Sequence, residues 1–365
     1  MKPRLHLALS VLCGTTGGPA TYGRRLAAAL AERDDVEVTV LTDAPDALAV
    51  PTVRVVALPM RGGLDRLRWQ YVALPRALRQ VGPDVYHDTK NALPPRLSVP
   101  AVVTVHDLAY HTVPRTFPLA SRWFLRLATR DAVRRARAIV VPSLATAADL
   151  RRIHPRCAGR VHVVPHGIDP APTPDAAALR EVRARLRLPE RFVLHVGTIQ
   201  ARKNVDLVVQ AVRQLRGEGL AVQAVVVGRQ GWLADAALRE IGRDDTAVWL
   251  PHVAAADLAA VHALAAAFVS PSAYEGFGLA VADALAAGVP TVIADRSSLP
   301  ELCGDAAVRL PTLDAAAIAA ALRPILTDAA HAEALRSAGR RRAAAFSWSA
   351  AAAGHVAAYR AALAD

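Results

Sequence analysis

Cysteine is scarce: the 365 residues hold three, Cys13, Cys157 and Cys303. Their odd number and wide separation argue against a disulfide framework and a thiolate metal site, and fit a reduced, cytoplasmic protein. No uncharged apolar run reaches the ~20 residues needed to span a bilayer. The longest candidates are interrupted by His262 or Asp283. No basic region with a cleavable apolar segment precedes the first apolar run, Leu5 to Leu12, so no secretion signal is expected. There is no Asp-x-Asp pair and no His/Cys set at ligand spacing, so neither a metal nor a resident cofactor is expected. The Gly-x-Gly-x-x-Gly turn of hydride-transferring dehydrogenases is absent from both halves. Acidic residues are few in the first half: residues 1–170 carry 24 Lys and Arg against 13 Asp and Glu, whereas the remainder carries 20 against 19. The net charge of +12 is thus concentrated in one half. That half is expected to meet an anion, either a phosphate-bearing acceptor or lipid headgroups at the inner face of a membrane. It has no recognisable nucleic-acid module, and nucleic acid is not an expected partner.

What is present reads as a globular enzyme. Hydrophobic residues make up 53% and charged residues 21%, which excludes a disordered chain. The length exceeds what one core usually serves, so two domains are expected. Short apolar runs alternate with helical stretches: Leu5–Leu12, a helix from Thr21 to Glu32, Val36–Leu41, Val53–Leu58, a helix over 64–79, a strand near 84–87 and Val102–Val105. That alternation predicts parallel sheets flanked by helices. Three prolines, Pro170, Pro172 and Pro174, mark a stiff connection. We therefore expect a first domain over 1–170, a linker over 171–190, a second domain over 191–345 and a last helix over 346–365. A helix over 121–138 should carry Arg122, Arg126, Arg130, Arg134 and Arg137 on one face, with Phe124, Leu125, Ala128 and Ala132 opposite. This is either a solvated face or, with Trp123, an anionic docking strip.

The most informative stretch runs from Ser270 to Asp283, Ser-Pro-Ser-Ala-Tyr-Glu-Gly-Phe-Gly-Leu-Ala-Val-Ala-Asp. A buried strand precedes it, and a helix from Leu279 to Ala287 follows. Gly276 and Gly278 at the junction let a ligand reach helical N–H groups that have no partner, and the helix N-terminus there favours phosphate. Glu275 stands just outside the helix mouth and Asp283 about a turn inside, so one elongated polyhydroxy ligand could meet a carboxylate near each end. A second strand-to-helix junction, Val196-Gly197-Thr198-Ile199-Gln200-Ala201-Arg202-Lys203-Asn204, sets two adjacent cations at the carboxyl end of a strand in a charge-balanced half, a pattern suited to an anion. His106 follows Val102–Val105 and has both a structural and a functional reading. The loop Cys13-Gly14-Thr15-Thr16-Gly17-Gly18-Pro19 is a plain turn or a phosphate loop.

Taken together and in order, these motifs resemble the retaining glycosyltransferases of family 4, through the Glu-x7-Glu signature at Glu275 to Asp283, the Arg202-Lys203 loop, the His106-Asp107 pair, Gly17-Gly18 and the run Val-Pro-His-Gly-Ile-Asp at 164–169. In the family the second acid is Glu; here it is Asp283, one methylene shorter. The resemblance implies an α/β, GT-B architecture of two Rossmann-like parallel-sheet domains facing a central cleft, 1–170 binding the acceptor and 191–345 the nucleotide sugar, with the last helix, 346–365, crossing back to the first domain. It further implies transfer of a hexose from a nucleoside-diphosphate sugar, GDP-mannose first and a UDP-sugar otherwise, to a hydroxyl of a glycan, lipid-linked or small-molecule acceptor. Arg202 and Lys203 would meet the diphosphate, and Glu275 and His106 the donor sugar. Gly17, Gly18, Thr198, Val253, Gly276, Phe277, Gly278 and Leu279 would line the donor site, and Asp283 would hold the ribose. A glycosidase would also explain paired carboxylates, but it leaves the cationic loop without a purpose. The other class of function weighed is a non-catalytic relative, a nucleotide- or membrane-binding partner subunit.

Overall fold

The computed structural model describes residues 4–12, 17–48, 50, 52–60 and 63–364, without the side chains of Leu64 and Arg66. Cys13 to Thr16, half of the glycine-rich loop, lie outside the described residues. The chain divides into two compact units. One comprises 1–108, 123–167 and 346–365; the other comprises 109–122 and 168–345.

Among the described residues the first unit holds the strands β1 (Leu5–Val11), β2 (Val36–Thr42), β3 (Arg54–Ala57), β4 (Val85–Asp88), β5 (Ala101–Thr104), β6 (Ala138–Val141) and β7 (Val161–Val163). They form one sheet in the order β3-β2-β1-β4-β5-β6-β7, and every pairing is parallel. Strands buried on both faces need near-continuous aliphatic runs, which sequences such as Leu-His-Leu-Ala-Leu-Ser-Val supply. Leu7, Leu9 and Val11 of β1 pack with Leu26 and Leu30 of the helix Gly18–Ala31 and with Val356 and Tyr359 of the helix Trp348–Ala364. The last helix is therefore a layer of the first unit's core.

The second unit repeats the plan with β8 (Phe192–Val196), β9 (Gln223–Val227), β10 (Ala247–Leu250), β11 (Ala267–Ser270), β12 (Thr291–Ala294) and β13 (Val308–Leu310), all parallel in the order β10-β9-β8-β11-β12-β13. Val193, Val226 and Val269 of its sheet pack with Val209 and Leu322 of the flanking helices. In both sheets the strand order reverses beside the first strand, at β1/β4 and at β8/β11. The carboxyl ends of strands flanking such a reversal open a crevice, which is where ligands of doubly wound sheets bind.

Three local expectations are corrected. Residues 171–190 do not form a linker throughout: Ala176–Leu186 is a helix of the second unit. The Asp175 carboxylate accepts from the Ala178 N–H at 2.8 Å to start it, and Arg185 meets Asp257 through two bonds of 2.7 and 3.0 Å. The helix Leu119–Arg135 buries Thr129, Ala132 and Val133, not Phe124, which is 57% exposed. Stepping back from Thr129 by three and then four positions reaches Arg126 and Arg122, so these arginines edge the buried stripe instead of standing opposite it. The helix over 64–79 begins at Gly63, ends at Val81 and contains a π-helical turn over Trp69–Ala73.

Candidate active site

Glu275 is drawn to the β8/β11 crevice by two loops that strap each other. After β8, the backbone turns at Ala201–Lys203, and Asn204 adopts a left-handed φ of 50° before the helix Val205–Gly217 begins. The Asn204 amide donates to the Pro271 carbonyl at 2.8 Å, and the Ala273 N–H donates to the Arg202 carbonyl at 2.8 Å. The Arg202 guanidinium donates to the Tyr274 carbonyl at 2.7 Å. Both cations then close on one carboxylate: Lys203 Nζ bonds Glu275 Oε1, and Arg202 lies 3.3 Å from Oε2. The Glu275 backbone is fixed from a third loop, its N–H donating to Ser297 Oγ at 2.9 Å and its carbonyl accepting from Ser298 Oγ at 2.9 Å.

Glu275 is 8% exposed. Burial alone would raise its pKa. The charges of Lys203 and Arg202, with hydrogen bonds from Lys203 and Ser272, outweigh burial and hold the carboxyl down to about 2. The cluster is ionised at neutral pH and carries one surplus positive charge. His195, on β8, is kept neutral by burial, with its pKa lowered to about 4. Its Nδ1 donates to the Val269 carbonyl at 2.9 Å, and its Nε2 is buried without a hydrogen-bond partner.

Gly278 caps the helix Leu279–Ala286 at φ +99°, a conformation that glycine adopts without strain. A Cβ here would stand 2.8 Å from Leu299 Cδ2. The helix thus starts four residues after Glu275, with no side chain at Gly276 and Gly278 between them. Phe277 is buried. Asp283 lies on the exposed side of the same helix. Thr198 follows Gly197 at the end of β8, half-buried, in the loop that carries the two cations. Val253 follows β10, the edge strand two places from β8, and of the residues expected to line the donor site in this unit it is the one that the topology sets farthest from the cluster.

In the first unit His106 sits just beyond β5. Its Nε2 donates to the Thr89 carbonyl at 2.8 Å, which leaves Nδ1 as an acceptor. Burial lowers its pKa. The ring is held edge-on to Tyr22 at 4.9 Å between centroids. Tyr22 is the hub of a buried network that sequence reasoning missed. Its hydroxyl lies 2.7 Å from His355 Nε2 and 2.8 Å from Thr104 Oγ1, while His87 bonds Thr104 and Tyr359, each at 2.8 Å. Gly17 caps the helix Gly18–Ala31, and both glycines are exposed. Sequence reasoning also missed Ser272 and the strapping role of Asn204.

Two doubly wound units, one with a cation pair and a helix N-terminus at its sheet reversal, form an arrangement whose chemistry suits an anion. Comparison with known proteins narrows this. Residues 16–172 match the family described as Glycosyltransferase Family 4, and residues 180–342 match Glycosyl transferases group 1. The chain is 30% identical to O-antigen chain mannosyltransferase B of Escherichia coli over 278 residues, 74% of this chain and 73% of that protein. It is 30% identical to the MMP alpha-(1->4)-mannosyltransferase of Mycolicibacterium hassiacum over 254 residues, 68% of this chain and 60% of that protein. Among solved structures, sucrose-phosphate synthase from Thermosynechococcus elongatus superposes with a TM-score of 0.77 at 25% identity, covering 98% of both chains. The chain belongs to the family 4, group 1 glycosyltransferases, with the two parallel-sheet units of the GT-B class, and is a hexosyltransferase. Among the described residues no helix is long and apolar enough to cross a membrane.

Proposed function

We propose that the enzyme transfers a hexose, mannose from GDP-mannose in the first instance and otherwise the sugar of a UDP-sugar, to an acceptor hydroxyl with retention of anomeric configuration. The observation that supports this reading is the convergence of Arg202 and Lys203 on Glu275 beside the N-terminus of the helix Leu279–Ala286. As the bond from the anomeric carbon to the diphosphate breaks, negative charge builds on the β-phosphate. Fixed cations and helix N–H groups there lower the barrier without reorganising. Side chains supply that charge, so the reaction is proposed to run without a bridging metal. Glu275 offers its oxygens to sugar hydroxyls, and Asp283 offers its carboxylate to the ribose. His106 offers Nδ1 to a sugar hydroxyl. The departing phosphate takes the acceptor's proton, so no separate strong base is needed. The mannosyl preference rests on the two mannosyltransferase relatives.

Purified protein incubated with GDP-mannose, UDP-glucose and other nucleotide sugars should release nucleoside diphosphate. Lys203→Ala should slow release by about 10²–10³-fold. Binding of nucleotide without any turnover would overturn the catalytic reading. Asp283→Glu should change donor affinity if the ribose contact is made there.

A peripheral membrane contact is proposed alongside. Trp123 and Leu127 are each more than half exposed on one helix, and the Arg126 guanidinium lies 5.7 Å from the Trp123 ring centroid. Apolar side chains beside arginines suit an anionic lipid surface. Flotation with anionic vesicles should show salt-sensitive binding that Arg126 and Arg130 substitutions weaken; unchanged flotation would overturn it.

A further inference from the structure

Beside the sheet reversal in the first unit, at β1/β4, lies a pocket. Ser10 and Asp88, at the ends of these strands, line it together with Trp69, Lys90 and the apolar Phe124 and Ala128. The Asp88 carboxylate is 5% exposed and accepts from Ser10 Oγ at 3.2 Å, from Tyr86 OH at 2.8 Å and from the Lys90 N–H at 2.8 Å. A carboxylate has about four acceptor sites, so one is left over. Trp69 is 5% exposed, and its indole Nε1 is buried with no hydrogen-bond partner. A buried N–H left unpaired is costly, and a bound oxygen beside it would satisfy it. It sits in the π-helical turn Trp69–Ala73, an irregularity frequent at functional sites.

We infer that this pocket holds a neutral monosaccharide unit of the acceptor, with one hydroxyl donating to Asp88, an oxygen accepting from Trp69 Nε1, and the sugar's C–H face against Phe124 and Ala128. The identification of this ligand as the acceptor rests on the transferase reading above. A hydroxyl both donates and accepts, so sugar hydroxyls can satisfy the leftover carboxylate site and the unpaired N–H together. A phosphate or carboxylate ligand would bring only acceptors, and its charge would face Asp88. Burial also pushes the Asp88 carboxyl up to about 6, as expected of an acid whose surroundings do not fully offset its charge.

The test uses the full chain, with methyl α-mannoside and methyl α-glucoside as probes in saturation-transfer NMR. At least one glycoside should show transfer. Trp69→Phe, which keeps the ring and removes the N–H, should weaken its binding by about 3–10-fold. Asp88→Asn should weaken it as well, and circular dichroism melts identify any variant that fails to fold. The inference is overturned if neither glycoside binds, if folded Trp69→Phe binds as the wild type does, or if mannose 6-phosphate binds more tightly than methyl α-mannoside. Thermal stabilisation of the wild type by GDP or UDP is the separate readout for the transferase reading. Nucleotide binding without glycoside binding removes the pocket and leaves the transferase. Trp69-dependent glycoside binding without nucleotide binding removes the transferase and leaves the sugar pocket.

Discussion

Replacing Glu275 by Gln keeps the shape of the side chain and removes the charge that Arg202 and Lys203 share. The carboxyl's pKa falls from 4.5 to about 2 on folding, despite burial. At about 1.4 kcal/mol per unit, a depression of that size corresponds to roughly 3 kcal/mol. Breaking a buried ion pair from one side typically costs about 3–5 kcal/mol, because the remaining charge has nowhere to go. Both routes predict a loss of about 3 kcal/mol, or a fall in melting temperature of about 6–12 °C for a unit of this size. The assay is thermal unfolding followed by circular dichroism. A native carboxyl with a lowered pKa stabilises fully above the unfolded value of 4.5 and loses that contribution as pH falls towards 2. The gap between wild type and variant should therefore be complete at pH 7 and narrow below pH 4.5. Added GDP should raise the melting temperature more in the variant than in the wild type, since its phosphates replace the missing anion. If Glu275→Gln melts within about 1 °C of the wild type at pH 7, the three charges do not stabilise one another and the reasoning fails.

The remaining expectations concern backbone and protons. Gly228 has φ +144°, and a Cβ there would meet the Gly197 carbonyl oxygen at 2.1 Å, so Gly228→Ala should destabilise by several kcal/mol; a soluble variant melting like the wild type would refute this. The pKa values of His87, His106, His166 and His355 are all lowered by burial, that of His355 to about 4. Their stability is complete above the unfolded value of about 6.5 and is lost as pH falls through the folded values, against two acids raised by burial, Asp88 and Asp206, of opposite sign. Melting temperature should decline from pH 6.5 to 4, and less steeply in His355→Gln; a flat profile over that range would contradict it.

Much of the fold was legible because each buried parallel strand is a short aliphatic run, and such a run needs no knowledge of its neighbours. The Ser270–Asp283 stretch and the Arg202-Lys203 loop were legible for a similar reason, since strand, glycine turn, charge and helix start are consecutive in sequence. What escaped depends on residues far apart in the chain. The Tyr22–His355 bond spans 333 positions, and that from Glu275 N–H to Ser297 spans 22. Nothing local distinguishes the Asp88 carboxylate from an ordinary strand-end acid, or Trp69 from a core residue. The phase of the helix Leu119–Arg135 was misjudged because arginines spaced by three and four look solvated, whereas long stems such as those of Arg122 and Arg126 can lie along the edge of a buried stripe. The helix Ala176–Leu186 was hidden by the prolines before it, although Asp175 carried the cap signal.

The placement of the helix Trp348–Ala364 sets the order in which this protein can mature on a ribosome. Val356 and Tyr359 complete the packing around β1, so the first unit cannot close that core until residues 348–364 have emerged. The second unit already has every piece it needs by residue 345. The first unit's core is thus completed after the second unit's residues have been made, and until then Leu7, Leu9 and Val11 lack part of their packing.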